Sequence, residues 1–365
     1  MKIAILHNFL DNIGGAEIVG LTLARGLNAD IYTTNIDKEK IEMMGFKDVL
    51  PNIYSIGKVP INAPFKQQFT FYRFEKLNLE KKYDFYIITG EWAISGAVNN
   101  KPNLWYSHSP TREIWDAYEY ARKNKVPWIG RPIFDLWVYY NRRLNRRHVK
   151  NVNKIICNSI NTQNRLKKFL NTNAMVINPP TETNKLYYRK NGNYWLSVNR
   201  LLAAKRVDLQ LRTFSKMLNE KLIIVGSYEQ SQHFLQYANY CKKIKPNNVE
   251  IKSWVSQQEL IDLYANCKGF IATAIDEDFG MTPVEAMASG KPVIAANEGG
   301  YKETVINGKT GILIDNIDES KLADAIKKLG EEIDKDPLKF KKDCQEQAKK
   351  FDTEIFIEKI KKEIK

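Results

Sequence analysis

The stretch Asp276-Glu277-Asp278-Phe279-Gly280-Met281-Thr282-Pro283-Val284-Glu285-Ala286-Met287-Ala288-Ser289-Gly290 decides how the rest of this sequence is interpreted. It follows the apolar run Gly269–Ala274, which predicts a buried strand. The spacing then predicts a helix with Thr282 as N-cap, Pro283 as first residue and Glu285 completing a capping box. The last glycine of the stretch is expected to end that helix. Strand, glycine loop and helix N-terminus together predict an anion site at the carboxyl edge of an open α/β sheet.

Two glutamates in this stretch, Glu277 and Glu285, are eight residues apart. One lies on the loop and the other in the first helical turn. One carboxylate can therefore accept hydrogen bonds from a polyol ring. The other can accept from hydroxyls beside a phosphate that the backbone of Gly280, Met281 and Thr282 would hold. The alternative interpretation is that Glu285 only caps its helix and that Glu277 is solvated.

The whole chain alternates short apolar runs with helical or loop segments, which is the pattern of a parallel sheet. The alternation occurs twice, with a proline-bearing boundary at Asn178–Thr181. We therefore predict two Rossmann-like domains, 1–180 and 181–350, followed by an amphipathic helix over 351–365 with Ile355, Phe356, Ile360 and Ile364 as its apolar members. The predicted strands are Lys2–Leu6, Ala29–Thr34, Ile53–Gly57, Phe85–Gly90, Leu104–His108 and Lys154–Asn158, then Tyr194–Asn199, Lys221–Gly226, Val249–Trp254, Gly269–Ala274, Pro292–Ala296 and Gly311–Ile314.

Composition limits the class of protein. A chain of 365 residues with a hydrophobic fraction of 43% can form packed cores and is long for a single one. No apolar run approaches the ~18 residues of a membrane span, and the start of the chain is too short for a signal peptide. The four cysteines are isolated in sequence, which is typical of a reducing compartment, so we expect a cytoplasmic protein. No metal-ligand spacing is present, and no metal site is predicted.

The net charge of +14 is concentrated in the first half, where residues 1–180 hold 26 Lys and Arg against 15 Asp and Glu. Within Ala121–Lys168 there are 13 basic residues and a single acid, Asp135, interleaved with Trp128, Trp137 and two tyrosines. A basic segment with aromatic residues suits an anionic membrane surface or nucleic acid. The alternative is a solvated basic face that only aids solubility.

Three further groups of residues follow predicted strands. Gly14 and Gly15 open the first helix, where adjacent glycines let the backbone approach a diphosphate or an acceptor. His108 ends a strand and is placed to bind a sugar hydroxyl, although a loop histidine with structural partners is the alternative. Arg200 and Lys205 follow the first strand of the second domain, where two fixed cations can bind an anionic group, although either one alone could be an ordinary surface residue.

Several of these motifs resemble those of the family 4 retaining glycosyltransferases. The donor-site signature of that family is similar to Glu-x7-Glu with Phe279-Gly280 between the glutamates. Gly14-Gly15-Ala16-Glu17, His108-Ser109-Pro110 and the Arg-Leu-x3-Lys element of Arg200–Lys205 are similar to further family motifs. Thr111–Asp116 resembles the bacterial and archaeal mannosyltransferases that build surface polysaccharides.

The resemblance implies a GT-B fold, in which two Rossmann-like domains with parallel sheets face a central cleft and the last helix crosses back to the first domain. It implies that Arg200 and Lys205 grip the donor diphosphate and that Glu277 and His108 act as catalytic-site residues on sugar hydroxyls. It also implies that Glu285 binds the ribose and that no metal or other cofactor is needed. The remaining implied donor-binding residues are Gly14, Gly15, Val255 in the turn that holds the nucleobase, Phe279, Gly280, Met281 and Thr282.

From the resemblance we expect transfer of a hexose, with mannose favoured, from a nucleotide sugar to a glycan or lipid-linked acceptor. GDP-mannose is the first expectation for the donor, and a UDP-sugar the next. The segment Ala121–Lys168 would then dock on an anionic membrane, with the protein peripheral on the inner face, and no nucleic-acid partner is expected. Two alternatives stay open at this point: a nucleotide-sugar epimerase of similar double-Rossmann build, and a non-enzymatic nucleic-acid-binding protein.

Overall fold

The computed structural model describes residues 1–226, 232–253 and 255–364. The chain divides into two compact units. The first is Met1–Asn178 together with the residues from Ile357 onwards, and the second is Pro179–Phe356. Each unit contains one parallel sheet with helices in its crossover connections, so the predicted α/β class with two Rossmann-like domains is confirmed.

The sheet of the first unit has seven strands in the order β3-β2-β1-β4-β5-β6-β7, all parallel. The strand order reverses between β1 and β4, whose register pairs Ile3 with Phe85 and Ile5 with Ile87. The six strands predicted for this half are present, mostly a residue or two shorter than expected. The strands are β1 (Ile3–Leu6), β2 (Asp30–Thr33), β3 (Ile53–Ser55), β4 (Phe85–Ile88), β5 (Asn103–Ser107), β6 (Lys154–Cys157) and β7 (Met175–Val176).

Six α-helices belong wholly to the described part of the first unit. The first begins at the second residue of the glycine pair, Gly15. The sixth is N-capped by Ser159, whose hydroxyl accepts from the Thr162 amide at 3.0 Å. The helices are α1 (Gly15–Leu27), α2 (Lys38–Met43), α3 (Phe65–Lys76), α4 (Tyr118–Asn124), α5 (Arg131–His148) and α6 (Ile160–Leu170), with short 3₁₀ helices at Lys47–Asn52, Ala93–Val98, Arg112–Ile114, Trp128–Gly130 and Val149–Asn151.

The sheet of the second unit has six parallel strands in the order β10-β9-β8-β11-β12-β13. Its order reverses between β8 and β11, and its apolar strands pack into one continuous core with the surrounding helices. The prediction for β10 extended to Trp254, which lies outside the described residues. The strands are β8 (Tyr194–Val198), β9 (Lys221–Val225), β10 (Val249–Lys252), β11 (Phe270–Ala272), β12 (Val293–Ala296) and β13 (Gly311–Ile314).

Helices connect these strands and follow the last one. The longest, α12, begins at an N-cap in which the Asp318 carboxylate accepts from the Lys321 amide at 2.9 Å. The helices are α7 (Val207–Phe214), α8 (Gln232–Ile244), α9 (Gln257–Asn266), α10 (Met281–Ala288), α11 (Tyr301–Thr304), α12 (Glu319–Lys335) and α13 (Lys341–Lys349), with 3₁₀ helices at Thr183–Lys185 and Ala203–Lys205.

The last helix, α14, spans Thr353–Glu363. Phe356, Ile360 and Ile364 are buried as expected, but Ile355 is exposed and Ile357 is buried in its place. A Cβ at Gly26 of α1 would lie 2.4 Å from the Ile357 side chain, so this helix pair can approach closely only because residue 26 is a glycine. Three of the four expected apolar members are therefore buried, and Ile357 replaces Ile355 as the fourth.

The four cysteines are all buried, and none of them forms a disulfide. Across the described ranges, no helix has both the length and the hydropathy needed to cross a bilayer.

Candidate active site

The carboxyl edge of the second sheet has its strand reversal between β8 and β11, where loops from neighbouring strands diverge. Open α/β sheets bind ligands at such a switch point. Arg200 and Lys205 follow β8, and Glu277 follows β11. The residues predicted to hold a donor diphosphate and sugar therefore start from the two strands that flank this point.

Lys205 and Glu277 are in direct contact, because the lysine Nζ donates a hydrogen bond to the carboxylate Oε2. Both side chains are largely buried. The Lys205 segment is fixed to the other loop, since the Thr273 hydroxyl donates to the Lys205 carbonyl at 2.8 Å and the Ile275 amide donates to the Ala204 carbonyl at 2.8 Å. A cation and a carboxylate thus sit side by side at the switch point.

Arg200 is exposed at the end of the same strand and makes contacts of its own. Arg206, the neighbour of Lys205, has a left-handed backbone with φ of 50° and pairs with Glu298. Arginine and lysine side chains therefore follow β8, and Lys205 contacts a carboxylate of the acidic loop.

The acidic loop rests on the turn Glu298-Gly299-Gly300. The Gly300 amide donates to the Glu277 carbonyl at 2.7 Å, and the Asp276 amide donates to the Glu298 carboxylate at 3.2 Å. Gly299 has φ of 54°, and a Cβ there would lie 2.3 Å from the Glu277 carbonyl oxygen. This turn therefore supports the backbone of Glu277 itself.

The helix that follows the loop begins two residues earlier than predicted, at Met281. Gly280 is its N-cap, with φ of 94°, and no side chain caps it, so the prediction that Thr282 is the N-cap was wrong. The physical reason is the positive φ of Gly280, where a Cβ would lie 2.7 Å from the Tyr301 ring. The predicted stop is confirmed, since Gly290 has φ of 69° directly after the C-cap.

Because the helix starts earlier, Glu285 is not in a capping box, and that prediction was also wrong. Its carboxylate accepts a hydrogen bond from the Tyr264 hydroxyl of α9 at 2.7 Å. Burial raises the pKa of Glu285, and the Tyr264 hydrogen bond opposes that rise. Glu285 therefore has a defined orientation next to the first turn of α10 and a fixed polar partner.

Two other predicted donor-binding residues have largely buried side chains. Phe279 is buried and packs edge-on against Phe351 with ring centroids 5.3 Å apart. Val255 packs partly on the core and precedes Ser256, the N-cap of α9. Any contact of Phe279 with a donor would therefore come from its backbone.

The other predicted site residues, Gly14, Gly15 and His108, belong to the first unit. Gly14 is the N-cap of α1 in an extended conformation, and Gly15 is the first helical residue. A Cβ at Gly14 would lie 2.6 Å from the Glu17 carboxylate. Gly14 therefore allows the Glu17 side chain to fold back over the start of its own helix.

His108 lies just beyond β5, next to the Tyr106 ring at a centroid distance of 5.3 Å. Its carbonyl accepts from the Asn158 amide group at 2.8 Å, which fixes the backbone. In the described part of the chain its Nε2 is buried without a hydrogen-bond partner. Burial, followed by the nearby His7, lowers the pKa of His108 to about 3. The ring is therefore neutral at physiological pH and can donate to or accept from a hydroxyl group.

Sequence reasoning missed three polar contacts at these edges: Tyr264 with Glu285, Arg206 with Glu298, and Asn8 with Glu91 at 3.0 Å. Each joins residues far apart in sequence, so no local spacing indicates it. The position of Glu298 before two glycines was the only available signal. Within the described ranges, no group of three His, Cys, Asp or Glu residues is arranged to hold a metal ion.

Comparison with known proteins agrees with this arrangement. The family described as glycosyl transferases group 1 matches residues 180–351, which include the whole donor-site edge of the second unit. Over these residues the resemblance to the family 4 glycosyltransferases is confirmed. The matched range includes Arg200, Lys205, Glu277 and Glu285. It therefore covers the switch point described above.

The relatives of this glycosyltransferase include mannosyltransferases. The α-1,3/1,6-mannosyltransferase ALG2 of Dictyostelium discoideum is 26% identical over 377 residues, covering 86% of each chain. The enzyme of the same name from Saccharomyces cerevisiae is 25% identical, covering 83% of this chain and 71% of its own length. An uncharacterized glycosyltransferase of Methanocaldococcus jannaschii is 31% identical, over about half of each chain (49% and 50%). The epimerase and nucleic-acid-binding alternatives receive no support from these comparisons.

Solved structures show the same fold. HepE of Anabaena, in complex with UDP-glucose, is similar with a TM-score of 0.77 and 19% identity, covering 100% of this chain and 99% of that one. Sucrose-phosphate synthase of Thermosynechococcus elongatus is similar with a TM-score of 0.72 and 18% identity, covering 99% and 97%. At this level of identity the likeness concerns the fold, which is GT-B as expected.

Proposed function

We propose that this glycosyltransferase moves a hexose, with mannose favoured, from a nucleotide-diphosphate sugar to a glycan or lipid-linked acceptor, and that the anomeric configuration is retained. The relatives named as mannosyltransferases support the choice of sugar. GDP-mannose is the first candidate donor, and a UDP-sugar is the second. HepE binds UDP-glucose, but because its identity to this chain is low, the likeness supports the fold and not the choice of donor.

The observation that carries the proposal is the contact between Lys205 and Glu277 beside the N-terminus of α10. A diphosphate bound at this helix end would meet the positive end of the helix dipole and the Lys205 ammonium group. Arg200 would add a second cation from the same strand end. As Lys205 turns to the diphosphate, the Glu277 carboxylate becomes an acceptor for hydroxyls of the transferred sugar.

The proposed reaction breaks the bond between the sugar C1 and the diphosphate oxygen and forms a bond from C1 to an acceptor hydroxyl on the same face. The departing phosphate oxygen takes the proton of that hydroxyl. Arg200, Lys205 and the first-turn amides of α10 would stabilise the charge that develops on the diphosphate. These cationic groups would do the work that a metal ion does elsewhere, so we propose a metal-independent enzyme.

Four further residues complete the proposed donor and sugar contacts. His108 would hydrogen-bond a sugar hydroxyl as a neutral ring, because burial lowers its pKa to about 3. Glu285, oriented by Tyr264, would accept from the ribose hydroxyls of the nucleotide. Gly14 and Gly15 would give donor or acceptor groups close access to the α1 backbone.

The basic segment Ala121–Lys168 supports a further part of the proposal. Its local net charge of +12 would draw the protein to an anionic membrane, where a lipid-linked acceptor is found. The enzyme would then work as a peripheral protein on the inner face of the cell membrane.

Binding and turnover experiments test the proposal in sequence. Thermal shift against GDP, UDP and ADP, followed by their sugars, identifies the base, and we expect GDP and GDP-mannose to stabilise the protein most. Product analysis with mannose donors and soluble glycan acceptors should then show an α-linked product from an α-linked donor. If sugar conversion occurs without any acceptor, or the product anomer is inverted, the proposal is wrong.

A further inference from the structure

Helix α5 of the first unit exposes a stripe of large apolar side chains. Ile133 is 75% exposed and Leu136 is 68% exposed, and Tyr140 continues the same stripe. Spacings of three and four residues place these side chains on one helical face. Trp128, which is 75% exposed, and Ile129 extend the surface into the 3₁₀ turn before the helix. An amphipathic helix of a soluble domain normally turns such a stripe toward the core.

Helix α3 exposes a second stripe of the same kind. Phe65 is 60% exposed and Phe69 is 50% exposed, and Tyr72 follows one turn later on the same face. The buried side of this helix is formed by Phe71 and Phe74. Ile61, in the loop before the helix, is also exposed. Two helices far apart in sequence therefore present bulky apolar residues to solvent while each still buries its opposite side.

The two stripes are joined into one surface. The hydroxyl groups of Tyr72 and Tyr140 are hydrogen-bonded at 3.0 Å. Basic residues continue both stripes toward the helix C-termini: Arg73 and Lys76 on α3, and Arg143 and Arg147 on α5. The Arg143 guanidinium lies 4.4 Å above the Tyr139 ring. We name this set, the exposed apolar residues of α3 and α5 and the arginines and lysines that continue them, the α3–α5 surface.

We propose that the α3–α5 surface inserts its apolar side chains into the interfacial region of an anionic bilayer. Amphipathic elements with large apolar residues on one side, Trp and Tyr at the boundary and Lys or Arg next to them bind in this way. The charged residues would meet anionic headgroups while Ile133, Leu136, Phe65 and Phe69 enter the acyl boundary. Attraction by the basic segment alone would hold the protein at the bilayer surface. The two apolar stripes would in addition insert side chains into the bilayer.

A second copy of the chain is a poorer occupant for this surface. In a symmetric dimer the same patch would meet itself, so Arg73, Lys76, Arg143 and Arg147 of both copies would be brought together. Repulsion between these like charges would destabilise such a dimer. An anionic lipid surface instead complements every one of these charges.

The inference deepens the proposed function and rests on it in one respect, namely that a bilayer-inserted surface suits an acceptor carried on a lipid. Insertion would hold the first domain at the level of the headgroups, where a lipid-linked sugar is presented. Membrane binding and sugar transfer are nevertheless separate measurements, so either can fail without the other.

The test is co-sedimentation of the full chain with vesicles of phosphatidylcholine, with and without phosphatidylglycerol. We expect binding to the anionic vesicles that persists in part at ~0.5 M salt, because inserted apolar groups are not screened. Ile133→Ser with Leu136→Ser, and separately Phe65→Ser with Phe69→Ser, should each lower the partition coefficient at least about tenfold. Leu218→Ser with Leu338→Ser, which changes exposed leucines of the other unit, should bind like the wild type.

Transfer to a soluble acceptor without vesicles serves as the folding control, and it should be the same for all three double variants. The inference is overturned if the α3 variant binds as the wild type does, or if ~0.5 M salt releases all bound protein, since adsorption by charge alone would explain that result. It is also overturned if sedimentation equilibrium shows a wild-type dimer that the variants convert to monomers. Wild-type protein that binds vesicles but transfers no sugar would refute the proposed function and leave this inference standing.

Discussion

Arg206 and Glu298 form a two-point ion pair, with Nη1 2.9 Å from Oε1 and Nη2 3.3 Å from Oε2. Arg206 directly follows Lys205, and Glu298 begins the turn that carries the Glu277 backbone. The pair therefore connects the two segments whose side chains meet at the switch point. Bidentate arginine–carboxylate pairs fix geometry as well as add energy, which suits this role.

We expect Arg206→Ala to reduce kcat/KM about tenfold to a hundredfold, because Lys205 and Glu277 lose their common support. The melting temperature should fall by only a few degrees, since both partners are partly exposed. Arg206→Lys should recover part of the activity through a single hydrogen bond. Steady-state kinetics and a thermal melt measure both effects.

The matched control for that change is Arg212→Ala, which removes another paired arginine of the same unit. Arg212 pairs with Asp208 at 2.7 Å and Glu319 at 2.8 Å, away from the acidic loop. A similar loss of activity in both variants would show that the Arg206 effect is a general loss of stability.

Lys205 and Glu277 should separate binding from transfer. Lys205→Met removes the diphosphate counterion, so we expect the Kd for the nucleoside diphosphate to rise about tenfold to a hundredfold. Glu277→Gln removes the competing carboxylate but keeps the shape, so diphosphate binding should be unchanged or tighter while transfer falls about a hundredfold. Isothermal titration and a product assay measure the two quantities. Equal losses of binding in both variants would contradict these separate roles.

Gly299 and Gly308 offer a matched pair of glycines, both with positive φ, at 54° and 77°. A Cβ at Gly299 would lie 2.3 Å from the Glu277 carbonyl, whereas nothing lies within 4 Å of one at Gly308. Both alanine variants should lose about 1 kcal/mol to backbone strain. Only Gly299→Ala should also displace the acidic loop and remove most of the transfer activity. Equal activity in the two variants would show that the turn does not support Glu277.

His7 should make the fold pH-dependent. Its Nδ1 lies 2.8 Å from the Thr89 hydroxyl, and burial lowers its pKa to about 4. Between pH 6.5 and 4, His7 is protonated in the unfolded chain and neutral in the folded chain. The free energy of unfolding therefore falls as the pH falls. From this group we expect a loss of about 2 kcal/mol between pH 7 and pH 5. Urea unfolding at both pH values measures the free energy of unfolding. In His7→Asn this free energy should fall by about 2 kcal/mol less than in the wild type. Parallel pH dependences in wild type and variant would contradict the assignment.

The strands were readable because each is a short apolar run that ends in a polar or glycine residue, as at Ile3–Leu6 and Gly311–Ile314. The strand β7 was not, because its two residues are extended only through pairing with β6, where Ile156 is opposite Met175. One apolar member of α14 was assigned wrongly for a related reason. Which of Ile355 and Ile357 is buried depends on the space that Gly26 leaves on another helix.

The local sequence pattern also gave a wrong prediction for the start of α10. Thr282, Pro283 and Glu285 have the spacing of a capping box, and the expectation failed because Gly280 adopts a positive φ against Tyr301. The capping preference amounts to about 1 kcal/mol, which tertiary packing readily outweighs. The same packing left Glu285 available to Tyr264.

The sequence by itself determined the α/β class and the two Rossmann-like domains, because these depend on apolar periodicity. The diphosphate-binding residues that it indicates, from residue type close to strand ends, stay a prediction. Only the tertiary structure decided that Lys205 contacts Glu277 across 72 residues and that Arg206 and Glu298 hold both loops. It alone also decided that α3 and α5 present one exposed surface. Such contacts depend on strand order and helix packing, and neither property is encoded in the spacing of neighbouring residues.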